Sequence, residues 1–542
     1  AAEAEAAGTP WASTLPIPMQ LVSRIDRYVT LTGNPDGSGL HEVTSMSYRD
    51  GFYDGVEKQY RGFEQVQTVV AADAFQEAST KRYVYDVGRS APHRNGLALS
   101  EVTLSDDRIL NETTTTYEEC ALTEVPPPAT LETQGRRGVY FVCPTAVEVV
   151  HKEGLTDAAA WKTVRSEMLY DGYGNVTLDA SLGVVGVDGD ELYTETEYVT
   201  PAARWLIGLP SRTRVYDTPG IADFSETLTY YDGDDFVGLP LGQATEGFVS
   251  RVTQKVDVDG TTLSSSRARR DAHGNSVETI DPNGTVSDAS THRRRYTYDD
   301  TGFFLITTDL LLGDRSLRRE SRYEQDFQRV VEVTKWMLVE GGELKSNRDS
   351  DSFLYDSFGR LSAELKPGDP LDKPSKVFTY DLSDPVSRIV ARGRSTVGGD
   401  LDEESFTCLD GRGRAYQTRT RVETGSYQVT GFSAFNARGV PVQVWQPFMS
   451  STGACDFTVP ESVLVDQTRF DALGRGVEVT RPGAAIYGED LVQRTIYLPL
   501  ATESHDAEDT HPSGDHADTP VVRTMDGLGR MVAVERVSRE SG

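Results

Sequence analysis

The chain has 542 residues, in which 54 Lys and Arg stand against 84 Asp and Glu, giving a formal net charge of −30. This charge excludes nucleic acids and anionic membrane surfaces as principal partners, because an acidic surface repels their phosphate groups. Hydrophobic residues make up 37% of the chain, enough for a folded protein, and no apolar run approaches the roughly 20 residues that cross a bilayer. This length predicts three or four domains unless the chain is built from repeats.

The N-terminal residues 1–14 are predicted to form a flexible tail. Residues 1–10 are rich in Ala and Glu and lack the basic segment and apolar core of a secretion signal. The sequence does not begin with Met, which suggests a processed product or a fragment of something longer. We expect a β-rich region at 15–160 and a repeat region at 161–542.

The best helical signal lies at 157–168. Thr156 is a candidate N-cap, and Ala158, Trp161 and Arg165 recur at helical spacing. The segment is short, and the rest of the chain favours strands. Runs rich in Thr, Val and Tyr, which suit a pleated surface, occupy 212–216, 225–230 and 253–258.

A six-fold repeat dominates the chain beyond residue 170. Each copy has Asp, two variable residues, Gly, and then Asn or Arg. The Asp and Gly positions are Asp171 and Gly174, Asp271 and Gly274, Asp356 and Gly359, Asp410 and Gly413, Asp471 and Gly474, and Asp526 and Gly529. A weaker copy replaces Asp by Asn436, and another at 298–302 lacks the final Asn or Arg.

This spacing predicts the tip of a β-hairpin. Asp at the first position of a type I turn accepts hydrogen bonds from backbone amides, and Gly three residues later adopts the left-handed conformation of a bulged loop. The segments after two copies, 361–366 and 476–481, alternate in polarity and end at Pro, as half-buried antiparallel strands do. We expect the Arg that ends a copy to reach a carboxylate on a neighbouring strand.

The intervals between copies are irregular. They range from 26 residues between Asp410 and Asn436 to 100 residues between Asp171 and Asp271. Propellers and leucine-rich repeats keep a nearly fixed period, so both are disfavoured. The prediction is an all-β chain whose hairpins form one large antiparallel sheet, which must curl or close to manage its edges.

The repeats resemble the YD repeats of Rhs proteins, a class that includes teneurins, bacterial polymorphic toxins and the B and C components of insecticidal toxin complexes. The segments LPIPMQLV at 15–22, YRDGFYDG at 48–55, YRGF at 60–63 and GLPSR at 208–212 are similar to the B components. The resemblance covers roughly residues 15 to 535. It implies a spiral of antiparallel β-hairpins that forms a hollow β-shell, or part of one.

The resemblance also implies a function. Such a shell is a structural container, not an enzyme, and it encloses a toxic cargo domain without any cofactor. The implied partners are a toxin cargo or C-type component that completes the shell, and a pore-forming translocation component; the implied location is secreted or extracellular. The chain departs from the family in having no recognisable propeller, no self-cleavage signature and no toxin domain. The alternative is an extracellular YD-repeat adhesin that recognises a protein or glycan.

Two acidic features invite a metal interpretation. The histidines and carboxylates at 505–518 match no zinc spacing, and a solvated acidic loop is favoured there. The strings at 34–39 and 188–191 do not follow a calcium loop, so hairpin turns are favoured. Since motifs for nucleophilic catalysis are also missing, no catalytic, cofactor-binding or metal-binding residue is nominated.

Basic runs and cysteines complete the candidates. The runs at 292–295 and 315–322 would suit a nucleic-acid patch, but pairing with carboxylates across strands is favoured. The cysteines form no Cys-x-x-Cys pair, so buried or incidental thiols are favoured, with a disulfide between the first two left open. They are Cys120, Cys143, Cys408 and Cys455.

Overall fold

The structure is a computed structural model. It describes residues 8, 11–12, 15–30, 39–124, 140–200, 205–219, 224–255, 263–382, 386–483, 490–511 and 516–538. The predicted tail at 1–14 and the string at 34–39 therefore lie almost wholly outside the described residues.

Strands form nearly all of the regular structure. The first eighteen are β1 Arg24–Val29, β2 Leu40–Asp54, β3 Gln59–Val70, β4 Ser79–Asp86, β5 Leu97–Ser105, β6 Arg108–Cys120, β7 Phe141–His151, β8 Lys162–Tyr170, β9 Val176–Val184, β10 Leu192–Tyr198, β11 Pro210–Tyr216, β12 Ser225–Tyr231, β13 Val249–Lys255, β14 Leu263–Arg270, β15 Ser276–Ile280, β16 Thr291–Tyr298, β17 Leu305–Leu312 and β18 Arg315–Tyr323.

The remaining strands continue the same pattern. They are β19 Val330–Thr334, β20 Met337–Glu340, β21 Glu343–Leu344, β22 Ser350–Tyr355, β23 Leu361–Leu365, β24 Lys376–Asp381, β25 Ser387–Gly393, β26 Glu403–Leu409, β27 Ala415–Glu423, β28 Ser426–Thr430, β29 Ser433–Phe435, β30 Pro441–Trp445, β31 Phe448–Ser450, β32 Val465–Phe470, β33 Gly476–Arg481, β34 Leu491–Leu498, β35 Ala501–His505, β36 Val521–Met525 and β37 Met531–Arg536.

The sheets are an antiparallel meander. From β1 to β18 each strand pairs with the next, and β18 then pairs with both β19 and β20. The pairing continues through β22 to β28 and ends at β31, which gives one sheet of 29 strands. A second sheet of eight strands runs from β29 to β37. The all-β prediction is confirmed.

The predicted helix at 157–168 is wrong. One turn of 3-10 helix spans Ala158–Ala160, with Asp157 rather than Thr156 as its cap, and β8 begins at Lys162. The reason is tertiary, because β8 is hydrogen-bonded on both sides, to β7 and to β9, and these ladders outweigh a weak helical pattern. In the part of the chain that the structure describes, the other short helices are a 3-10 turn, Pro92–Arg94, and the α-helix α1, Ala507–Thr510.

The molecule has far more surface than a compact protein of its mass. Its accessible surface is 30803 Å², whereas a compact monomer of 59.5 kDa would expose about 19,000 Å². The burial of individual strands agrees, since β6 and β10 have residues of intermediate or full exposure on both faces. A sheet that is one layer thick over most of its area explains both observations.

One compact core interrupts this thin sheet. It packs residues of β25 to β29 and β31 against Val29 and Leu40, with Tyr416 and Phe432 at 0% and 1% exposure. The segment 451–464 closes over it and contributes Phe457 and other apolar side chains. The core therefore joins the start of the chain to residues almost 400 positions later.

Candidate functional site: the repeat turns and the seam

All six repeat turns share one set of hydrogen bonds. In each, the first Asp oxygen accepts the N–H groups of the second and fourth following residues at 2.8–3.0 Å. The backbone of the same Asp bonds the Gly N–H and the carbonyl of the fourth residue. Each Gly has a positive φ of 71–89°, which glycine alone adopts without strain. A bulge precedes every turn, as a bulged hairpin requires.

The arginine that ends a repeat turn bonds within its own turn. Arg360, Arg414, Arg475 and Arg530 each pair with the Asp four residues earlier at 2.6–2.7 Å. The expected pairing with a neighbouring strand is therefore wrong, because the tight loop already brings the second Asp oxygen within reach. Arg475 is the exception, since it also binds a distant carboxylate, described below.

In two of these arginine-containing turns the contacts favour the charged form of the repeat carboxylate, at Asp356 and Asp526. Burial opposes ionisation of Asp356, but the Arg360 backbone N–H, the Arg360 guanidinium and the Phe358 N–H outweigh it and lower the pKa of the Asp356 carboxyl. The same balance, with Arg530 as the partner, lowers the pKa of Asp526.

The arginines also link successive hairpins. The Arg360 guanidinium lies over the Tyr380 ring at 4.3 Å, and Arg475 lies over Tyr497 at 3.9 Å. In both pairs the ring belongs to the next hairpin along the sheet. Charge on the face of an aromatic ring adds a modest attraction, about 0.5–1 kcal/mol at exposed sites.

Tyrosine hydroxyls tie the same hairpins together. Tyr198, Tyr380 and Tyr497 each donate to the carbonyl of the residue that directly follows the preceding repeat turn, at 2.8–3.2 Å. Tyr170, Tyr231 and Tyr355 donate to a carbonyl of the adjacent strand in the same way, at 2.8–2.9 Å. Four of these tyrosines directly precede an Asp in the sequence, which is a recurring signal for this role; they are Tyr170, Tyr231, Tyr355 and Tyr380.

The last three turns contact the first part of the chain, and we call this contact the seam. It joins the loops at 71–78, 152–154 and 183–190 to the turns at 436–440, 470–475 and 526–530. Its hydrogen bonds connect residues 322 to 395 positions apart. The seam therefore brings one circuit of the chain back against its beginning.

The first seam contact uses the weak repeat copy. Asn436 accepts the Val440 N–H as Asp would, but its Nδ2 donates to Gln76 Oε1 at 2.8 Å. Gln76 also forms a parallel bridge with Phe470. Arg438 donates to three carbonyls of the 70–77 segment, the shortest bond being 2.6 Å to Glu77. Asn replaces Asp here because the partner is an acceptor.

The second contact is an ion pair. Both terminal nitrogens of Arg475 bind Glu153, at 2.9 and 2.6 Å, while its Nε binds Asp471. The Glu153 side chain is only 8% exposed. A bidentate pair of this kind fixes direction as well as distance.

The third contact is an approach of two backbones. The Gly527 N–H donates to Asp190 Oδ2 at 2.8 Å, and the same oxygen accepts the Val184 N–H at 3.0 Å. A Cβ on Gly527 would lie 2.5 Å from the Cα of Gly183. Only glycine fits at this point of the seam.

The metal interpretations find no support among the described residues. In that part of the chain, no group of three or more His, Cys, Asp or Glu is placed to hold an ion. Asp506 caps α1 and Asp509 completes a capping box while accepting Thr519 Oγ1 at 2.6 Å. The prediction of a solvated acidic loop at 505–518 is thus partly wrong, since Asp509 is buried. Residues 512–515 lie outside the described residues.

The basic runs pair across strands, as favoured. Arg293 binds Glu278 at 2.6 Å on the neighbouring strand, and Arg318 binds Asp309 at 2.8 Å. The interstrand interpretation of both runs is confirmed.

The expectation of free thiols is wrong. Cys120 pairs with Cys143 and Cys408 pairs with Cys455, with Cα atoms 6.0 and 5.7 Å apart. The first pair is the alternative that the sequence left open, and antiparallel pairing of β6 with β7 brings its partners together. Wide sequence spacing concealed the second pair, which the folded-back 451–464 segment brings together.

Together, the meander, the repeat turns and the seam define the class as a hairpin-repeat β-wall. Residues 1–89 match the family described as "Insecticide toxin TcdB middle/N-terminal region". These residues contain three of the four segments that resembled toxin-complex B components. The resemblance to a B component is confirmed.

Solved structures share the fold over most of the chain. The crystal structure of TcdB2-TccC3-TEV has a TM-score of 0.76 and 13% identity, covering 100% of this chain and 37% of that one. TcdB2-TccC3 without its hypervariable C-terminal region gives 0.75 and 13%, covering 98% and 36%. The Photorhabdus luminescens Tc holotoxin pore gives 0.69 and 12%, covering 92% and 34%. This chain spans about a third of the length of those chains, and no curated protein matches it in sequence.

Proposed function

We propose that this chain is a section of the wall of a secreted protein shell that encloses a toxic cargo. Its role in this proposal is structural and not catalytic. The observation that carries the proposal is the large accessible surface of a sheet that returns on itself at the seam. A thin curved sheet exposes two wet faces, which is what a container needs and a compact domain avoids.

The partners follow from the same proposal. The similar structures include TcdB2 together with TccC3, and a Tc holotoxin pore. We therefore assign two partners to this chain. One is a C-type component that carries the cargo and completes the shell, and the other is a pore-forming component that delivers the cargo. β37 suits such an extension, because it is an edge strand whose Met531, Val532 and Val534 are 52–61% exposed.

Secretion is supported by the two disulfides, since such bonds persist mainly in oxidising compartments. Among the described residues, no helix has the length and apolar character of a membrane span. The surplus of carboxylates has a further role in the proposal: on the inner face they would keep the wall hydrated and attract a basic cargo.

The test is protection of a cargo from protease. The protein is co-expressed with a C-type component that carries the cargo, and the purified complex is treated with a nonspecific protease. The proposal predicts that the cargo is degraded much more slowly than the same cargo alone. Equal degradation rates of the enclosed and the free cargo would overturn the proposal. Binding of the cargo-free protein to cells would instead support the alternative function as an adhesin.

A further inference from the structure

Two arginines oppose each other across β13 and β14. Arg251 and Arg267 are Cα partners in the register, so their side chains lie on the same face of the sheet. Among the described residues neither forms an ion pair, although the protein carries a net charge of −30. Like charges directly opposite each other destabilise a sheet, so this pair calls for an anion, and no described residue supplies one.

Nearby arginines behave differently. Arg269, Arg293 and Arg295 all bind the single carboxylate of Glu278, at 2.6–3.2 Å. Arg269 also lies 3.7 Å from Asp235, so two carboxylates face three cations there and leave no charge for the opposed pair. The face of β13 to β16 is therefore locally basic within an acidic protein.

The surroundings of the pair fix its position. The Arg251 guanidinium stacks on the Tyr230 ring at 3.8 Å, and its Nε is buried without a hydrogen-bond partner among the described residues. Burial and the charge of Arg251 lower the pKa of Arg267. A buried donor without an acceptor costs stability, and an incoming oxyanion would supply that acceptor.

A cavity accompanies the pair. Its volume is about 400 Å³, and it borders the row of residues Arg251, Arg267 and Ile280 across β13 to β15. The carboxylate in its lining is Asp281, which pairs with His292 at 3.2 Å.

We propose that Arg251 and Arg267 bind a phosphate or sulfate group. A tetrahedral oxyanion offers enough oxygens to bridge two guanidinium forks, and a dianion cancels the repulsion between them. The group has two sources, free inorganic phosphate or the sulfate of a glycan. The site is independent of the container role, since a wall needs no such ligand.

The test is isothermal titration of the 542-residue protein with sodium phosphate, and separately with a sulfated heparin-derived oligosaccharide. Arg251→Gln and Arg267→Gln should each weaken binding at least about tenfold, because bonds between charged partners are strong. Arg319→Gln is the matched control, since Arg319 is an exposed strand arginine opposite Thr308 and should leave binding unchanged. Tighter binding of the oligosaccharide than of phosphate identifies a glycan; the reverse identifies the free ion.

Thermal melting without added anion gives a second readout. Arg267→Gln should raise the melting temperature, because it removes a like-charge contact. Added phosphate should raise the melting temperature of the wild type and of Arg319→Gln, but not that of Arg251→Gln or Arg267→Gln. No binding of either probe to the wild type would overturn the proposal. Wild-type affinity in both glutamine variants would overturn it as well.

Discussion

The seam gives the sharpest prediction, and it concerns Gly527→Ala. Other repeat turns carry Ala at the same position, as Ala272 and Ala472 do, so the turn itself accepts a methyl group. At the seam, however, the new Cβ would lie 2.5 Å from the backbone of Gly183. We therefore expect the turn to fold and the seam to open locally.

The magnitude follows from the contact that is lost. Separation removes the hydrogen bond from the Gly527 N–H to Asp190, and a bond to a charged group is worth about 1.5–3 kcal/mol. The change from Gly to Ala offsets about 0.4–1 kcal/mol of this loss, because it lowers the conformational entropy of the unfolded chain. The net local destabilisation is about 1–2 kcal/mol, which corresponds to a roughly 5- to 30-fold faster local opening.

Hydrogen exchange read by mass spectrometry measures this opening. Amides of 183–191 and 526–530 should exchange faster in Gly527→Ala, while those of β24 to β26 should not change. The control is Gly411→Ala, which makes the same change at an exposed turn position. Unchanged exchange at both segments, in a variant that is folded, would refute the reasoning about the seam.

Three further predictions concern the seam, the repeat turns and the core. Asn436→Asp should destabilise the seam by about 1 kcal/mol, seen as faster exchange at 73–77, because a carboxylate cannot donate to Gln76. Asp356→Asn should lower the stability of the protein at neutral pH but not at acid pH. Because folding lowers the pKa of Asp356, the stabilising contribution of its carboxylate is fully present above the unfolded pKa of about 4 and is lost as the pH falls through the folded pKa. Equal losses of stability at pH 7 and pH 3 in denaturant titrations would contradict this. Cys408→Ser should destabilise the core by about 4 kcal/mol on chain-entropy grounds, since the bond spans 47 residues, and calorimetry showing no change would exclude that role.

The turn chemistry was predictable because it is local. Asp171, Gly174 and Asn175 contain the whole hydrogen-bond pattern of their turn within five residues. The strands were predictable for the same reason, from alternation and from Pro and Gly at their ends. The weak helix at 157–168 failed because pairing with two neighbouring strands decides that segment, and a local pattern does not contain its neighbours.

The seam was not predictable from one sequence. Glu153 and Arg475 lie 322 residues apart, and neither has a local signature of the other. The one visible hint was Asn436, which stands where the other repeat copies have Asp. This exchange replaces a charged acceptor by a side chain that can also donate a hydrogen bond. The disulfide between Cys408 and Cys455 was hidden in a similar way, since the 451–464 segment decides which cysteines meet.

Small-angle scattering of the purified chain tests the central claim most directly, that these residues form a thin curved wall. A compact protein of 542 residues would have a radius of gyration of about 24 Å, and the unfolded chain about 87 Å. A thin curved wall predicts a folded particle whose radius of gyration lies clearly above the compact value. Its pair-distance distribution should be shifted toward long distances, as a particle with a low-density centre gives. A radius of about 24 Å with a solid-globule distribution would contradict it.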